Sequence, residues 1–279
     1  MIALRRMALA LVGTVTPLVA QDWQTLDAQR QAGGDTRPLA VRVEYAAGRL
    51  ELKTAEAGTL YRARLRYDAD RTDPVHRFDV DSRSLTIGVR SEGRRIHRED
   101  DAGSLRLELA RGIPIDLTAN IGAVEGELEF GGLSLTALAL RTGASDLAVR
   151  VSSPNPIALT SATIDVGAAG AKFREFGNAR AERIRANVGV GTLDLDLSGE
   201  WTGTIDLSAT IALGGLTLRI PDDAGVEIDA TSFLASFDKQ GLEKDGGVWR
   251  SRNWSRATRK VRARITATLG SVDLRYTGR

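Results

Sequence analysis

The chain contains no cysteine, so it can build no disulfide, no thiolate metal site and no thiol nucleophile. Histidine occurs twice, at His76 and His97, which leaves little for a zinc or copper centre. Those two are also the whole supply for a Ser-His-Asp arrangement. Aromatic residues make up 5 % of the chain, fewer than an α/β enzyme of this length would use to fill its core. No segment reaches about 18 consecutive apolar residues, the length a membrane helix requires. There is no Gly-x-Ser-x-Gly elbow, no His-Glu-x-x-His helix and no glycine-rich loop opening a helix. What is abundant is glycine, with 29 residues in 279.

Between Ile115 and Pro221 a short phrase recurs: Asn120-Ile-Gly-Ala-Val-Glu-Gly, Arg141-Thr-Gly-Ala-Ser, Asp165-Val-Gly-Ala-Ala-Gly, Asn187-Val-Gly-Val-Gly and Ile211-Ala-Leu-Gly-Gly. Its opening glycines, Gly122, Gly143, Gly167 and Gly189, are spaced by 21, 24 and 22 residues. In the fifth phrase Gly214 answers Gly191. Flanking segments such as Leu193-Asp-Leu-Asp-Leu197 alternate apolar and polar residues, the period of a strand with one buried face. A period of 20 to 50 residues is the mark of stacked repeats. The expected fold is therefore all-β, a solenoid-like stack of short strands with little helix, in which no coil buries its apolar face alone. The glycines are expected at turns, at positive φ.

The N-terminus has Arg5-Arg6, an apolar run from Met7 to Val15 and small residues up to Ala20. This is the pattern of a secretory signal peptide over residues 1–20, with export to the periplasm or cell surface. The chain carries a formal charge of +2, and loss of Arg5 and Arg6 leaves the remainder neutral, without the positive field that nucleic-acid binding requires. Residues 21–39 are polar and read as a linker with a helical turn near Trp23–Gln29. A first β domain is expected over 40–110, with strands at Val41–Tyr45, Leu50–Leu52, Leu60–Tyr67, Arg77–Val80, Leu85–Val89 and Leu105–Leu109. The repeat domain follows over 111–279, with an irregular excursion at 231–260 and a last phrase at Arg264–Leu274.

Candidate chemistry is sparse. Asp68, Asp70 and Asp73 share a loop but lack the glycine and terminal glutamate of an EF-hand. Asp194, Asp196 and Asp206 alternate with leucine or isoleucine as a solvated strand face would, rather than standing as a glycosidase pair. The excursion combines Trp249, Arg250, Arg252, Trp254 and Arg256, a basic-aromatic set suited to a sugar, phosphate or anionic envelope component, or to covering the end of the repeat. No catalytic residue, metal or cofactor is expected.

Val41–Val89 resembles the N-terminal toast-rack domain of exported and membrane-associated bacterial proteins. Ile113-Pro-Ile-Asp-Leu117, Gly177-Asn178, Leu195-Asp-Leu-Ser-Gly-Glu-Trp201 and Ile220-Pro-Asp-Asp-Ala-Gly-Val226 resemble the C-terminal domain of LiaF-like, cell-wall-active antibiotic response proteins. The ending, Trp249-Arg-Ser-Arg-Asn-Trp-Ser-Arg-Ala257 and Ile265–Leu274, is similar to related adhesin-like domains. The resemblance implies a stacked β repeat acting by contact with an envelope protein or cell-wall component, as a stress-response module or an adhesin-like scaffold, without catalysis. Some relatives of that kind act on a membrane sensor kinase, and those carry membrane helices that are missing here.

Overall fold

Period-two alternation dominates the chain, and the computed structural model, which describes residues 22–91 and 103–278, resolves it into strands and one turn of 3-10 helix, Phe176–Ala179. Residues 1–20, where a signal peptide is expected, and His97 with the charged loop around it lie outside the described residues. In chain order the strands are β1 (Trp23–Gln31), β2 (Leu39–Thr54), β3 (Thr59–Asp68), β4 (Thr72–Asp79), β5 (Ser84–Ser91) and β6 (Ser104–Leu109). Then come β7 (Pro114–Glu129), β8 (Ser134–Thr142), β9 (Asp146–Arg150), β10 (Ser161–Val166), β11 (Gly170–Arg174) and β12 (Arg183–Asp196). The last are β13 (Gly203–Pro221), β14 (Gly225–Phe237), β15 (Leu242–Asp245), β16 (Val248–Ser251) and β17 (Arg259–Thr277).

The strands stack in parallel coils with two faces. On the first face the order is β4, β5, β2, β7, β8, β10, β12, β13, β17, β14, β16, β15. On the second it is β1, β3, β6, β2, β7, β9, β11, β12, β13, β17, β14. Strands β2, β7, β12, β13, β14 and β17 serve both faces by bending in the middle. Elsewhere the corner separates two short strands, as between β8 and β9. Antiparallel strands finish both ends of the stack, β1 and β4 at one and the β15–β16 hairpin at the other.

Register places like on like. On the first face Val41, Leu117, Leu138, Ala162, Ile184, Leu207, Ala263 and Ile228 form one buried ladder. On the second, Leu147, Ala171, Leu193, Leu216 and Val272 form another. The two ladders face each other in a single core that runs from Leu39 to Leu274. Each fully buried Leu or Ile contributes about 1.5–3 kcal/mol, and none is buried by its own coil alone.

The glycines of the recurring phrase act differently from the expectation. Gly122, Gly143, Gly167, Gly189, Gly191 and Gly214 are not among the residues with positive φ. They sit where the chain crosses the corner, and a Cβ built there would stand 2.1 Å from Ala46 O at Gly122, 2.1 Å from Ala169 O at Gly191 and 2.0 Å from Gly191 O at Gly214, and about 3 Å from the preceding coil's backbone at Gly143, Gly167 and Gly189. Hydrogen bonds continue through the corner, for instance Gly143 N–H to Ile121 O at 2.8 Å and Val190 N–H to Gly167 O at 2.9 Å. The phrase thus marks close coil-on-coil approach rather than reversal of the chain.

Four boundaries also change. Residues 21–39 are not a linker with a helical turn: Trp23–Gln31 is β1, antiparallel to β3. It is held by Arg64 to Asp27 at 2.7 Å and by the Arg66 guanidinium 3.9 Å from the Trp23 ring centroid, while Leu26 and Ala28 pack on the core. Val41–Tyr45 and Leu50–Leu52 are one strand, bent at Gly48. Across residue 110 no break in packing occurs, because β2 pairs in parallel with β7 along both faces. The excursion at 231–260 begins as a regular strand, since β14 pairs with β17 as far as Phe237.

Opposite the corner, buried asparagines tie the connecting loops together. Asn155 accepts from Leu135 N–H at 3.1 Å and donates to Leu135 O at 2.8 Å and Ala179 O at 3.3 Å, so it touches the coils before and after its own. Asn178 repeats the device with Val151 O and Glu200 N–H. Removing such a side chain strands buried backbone groups, at about 1–3 kcal/mol. Urea unfolding is expected to show Asn155→Ala losing about 2 kcal/mol or more, and the half-exposed Asn187→Ala less than about 1 kcal/mol. The last strand is inserted between β13 and β14, so a chain ending at residue 258 is expected to lose its dispersed amide spectrum beyond the missing strand. Retention of native shifts through β12 and β13 would show that the coils are stable without it.

Candidate interaction surface

The basic-aromatic set in the excursion is brought together on the β15–β16 hairpin and the turn after it, but its charges are balanced. Arg250 bonds Glu227 at 2.7 Å and also pairs with Asp245. Arg252 bonds Glu243 at 2.6 Å. Hydrogen bonds donated to these carboxylates, Glu227 first for Arg250 and Glu243 for Arg252, raise both guanidinium pKa values above their ordinary value. Trp249 is half-buried against the core, opposite Ile228, with Lys239 Nζ 4.4 Å from its ring centroid. Trp254 lies over Gly225, with Lys260 Nζ 5.3 Å from its ring centroid. Arg256 is exposed on the turn. The two tryptophans close the end of the stack, and the surface around them is a mosaic of paired charges.

The other candidates are likewise engaged. Asp194 receives two hydrogen bonds from Arg219, at 2.8 and 3.0 Å, and Asp206 pairs with Arg262 at 3.3 Å. Asp196 is buried and accepts from Ser198 N–H at 2.9 Å. His76 lies 3.0 Å from the Tyr61 hydroxyl, and burial lowers its pKa. Asp68 accepts from Asp70 N–H at 3.0 Å, while Asp73 lies on β4. Among the described residues no group of three or more His, Asp or Glu side chains is arranged to hold a metal ion, and no helix is long and apolar enough to cross a membrane.

The corner carries the surface that the sequence reading missed. Along its first-face side runs a shallow groove of about 660 Å³ lined by Glu44, Asn120, Arg141, Asp165, Asn187 and the corner glycines. Arg141 bonds Asp165 at 3.3 Å and Asn187 donates to Asp165 at 2.7 Å, which links successive coils. On the crest the residue after the corner position is Ala123, Ala144 and Ala168 in the earlier coils. In the later ones it is Val190, Leu213, Leu269 and Leu234, which lie in register on neighbouring strands. These four are 59, 50, 40 and 65 % exposed, and the adjoining Phe233 is 79 % exposed. At about 4.8 Å per strand the ridge is about 14 Å long.

Its flanks are uncharged. Asn187–Leu193, Thr210–Leu216, Thr266–Val272 and Thr231–Phe237 contain no Asp, Glu, Lys or Arg, in a chain that is 27 % charged. An apolar crest inside a neutral margin is the composition of a contact surface rather than of scattered exposed leucines. The clue in the sequence was this loss of charge in the last four phrases, which glycine alignment alone does not reveal.

No curated protein matches the chain. Among solved structures, a candidate cell adhesion protein from Clostridium sporogenes aligns with 12 % identity over 92 % of this chain and 100 % of its own, at a TM-score of 0.46. A candidate adhesin from Bacteroides fragilis aligns with 9 % identity over 91 % of this chain and 98 % of its own, at a TM-score of 0.44. The family model for the N-terminal domain of toast_rack, DUF2154, matches residues 19–174, which takes in β1 to β11 and more than half of the 279 residues. The chain belongs to the toast_rack N-terminal domain family.

Proposed function

We propose that the protein is a non-catalytic binding module of the bacterial cell envelope, which uses its stacked β scaffold to present the neutral, apolar-tipped corner to a protein or cell-wall component. The observation that carries this reading is the ridge Val190–Leu213–Leu269–Leu234 with its charge-free margins. Exposed apolar side chains at four consecutive coils lower the solubility of a monomer, and a bound partner offsets that by removing them from water. The signal-peptide pattern of residues 1–20 supports export. The resemblance of Leu195–Trp201 and Ile220–Val226 to LiaF-like proteins is in keeping with an envelope setting and a role in responding to cell-wall stress. The paired charges around Trp249 and Arg252 fit the polar rim of such an interface better than its centre.

A photo-crosslinking side chain at Leu213, introduced in the native host, is expected to capture a discrete envelope component, and one at Gln29 on β1 is not. Leu269→Glu, on the exposed crest, is expected to cost less than about 1 kcal/mol of stability while abolishing the Leu213 adduct. Equal labelling from both positions, or an adduct indifferent to Leu269→Glu, would remove the ridge as the binding surface. Release of the protein from intact cells by surface proteolysis would assign it the adhesin-like role at the cell surface rather than a periplasmic one.

A further inference from the structure

The two ends of the stack are finished differently. At the N-terminal end the edge strands carry the usual protections against pairing with another chain. Strand β4 contains Pro74, together with Asp73, Arg77 and Asp79, and β1 contains Asp27 and Arg30. At the other end β16 pairs with β14 only at Glu227 and Ile228. Among the described residues no strand pairs with Thr231–Phe237 on the side away from β17. This open edge has the sequence Thr-Ser-Phe-Leu-Ala-Ser-Phe, with no charge, no proline and no glycine. It also carries the two most exposed large apolar side chains, Phe233 and Leu234. The crest grows toward it, from alanine in the coils at Ala123, Ala144 and Ala168 to valine and then leucine.

We propose that two copies of this chain join end to end through this edge, Thr231–Phe237 of one pairing antiparallel with the same segment of the other about a two-fold axis near Phe233 and Leu234. Charge decides between the occupants that the chain itself supplies. Copy on copy sets a neutral strand against a neutral strand, whereas head-to-tail stacking on β1 or β4 would press the charged Asp27, Arg30, Asp73 or Arg77 against a strand that offers no opposite charge, a costly burial. Shape agrees. Strand β14 bends where its pairing with β17 skips Phe233, near the middle of the open segment, and a two-fold axis through the corner lays bend on bend while exchanging the faces. The two ridges then run on as one, doubling the length of apolar crest. This association does not depend on what the ridge binds along its flank.

Sedimentation velocity of the purified chain is expected to show a concentration-dependent dimer. Leu234→Lys, which sets two cations beside the axis, is expected to weaken that dimer by at least about tenfold. Leu213→Lys, two strands further in and comparably exposed, is expected to leave it intact. Because the chain has no cysteine, Leu234→Cys provides a clean probe: mild oxidation should give a disulfide-linked dimer, and Leu213→Cys should not. A chain that stays monomeric up to its solubility limit, a dimer indifferent to Leu234→Lys, or a monomer that instead binds lipid vesicles through Phe233 would each overturn the proposal. Loss of the Leu213 crosslink with the dimer intact would count against the envelope-binding reading alone.

Discussion

The structure depends on a close approach that recurs along the stack: at Gly122, Gly167, Gly191 and Gly214 the backbone of one coil lies against the backbone of the coil beneath, and a Cβ would come within 3 Å of it. Parallel strands sit about 4.8 Å apart on flat faces. Where the strand must turn from one face to the other, successive coils nest, and a Cβ at Gly214 would stand 2.0 Å from Gly191 O. Glycine is required here for contact rather than for its dihedral freedom, since φ at Gly122, Gly143 and Gly214 is ordinary. Everything else follows from keeping the coils in this register, including the apolar ladders, the asparagine ties and the alignment of the crest.

Nested corners also fill the interior with packed side chains and leave variation to the outward faces. The interior is filled with Leu, Ile, Val and Ala, and the outward carboxylates that could suggest chemistry are met by guanidinium groups from neighbouring coils, as Asp194 is by Arg219. Specificity then has to come from what successive coils display side by side. A repeat offers a ladder of one position, and this chain varies one such ladder from alanine to leucine along its length. The gradient sets small alanine side chains at one end of the corner and large exposed apolar ones at the other.

Much of this was readable from the residues. Alternation gave nearly every strand, and the match of Gly191 to Gly214 is a true structural register. The strand Trp23–Gln31 was hidden because its outward residues are polar and its inward ones few. Its partners are distant in sequence, among them Arg62, Arg64, Arg66 and Tyr67 on β3. The meaning of the glycines was hidden for a related reason, since sequence shows that a side chain is missing and not what occupies its place. The ridge was overlooked because Val190, Leu213, Leu269 and Leu234 belong to four phrases up to 79 residues apart, and only the register makes them neighbours. For Trp249 and Arg252, sequence conveyed composition but not the carboxylates that balance it.

The central claim, that the corner is held by backbone contact, is tested most directly by paired alanine substitutions at adjacent glycines. Gly214→Ala forces a Cβ against Gly191 O, whereas Gly215→Ala meets nothing closer than Ser271 Oγ at 3.5 Å. Equilibrium unfolding in urea should show Gly214→Ala losing about 3 kcal/mol or more and Gly215→Ala changing by less than about 1 kcal/mol. Equal, small effects at both positions would contradict the account.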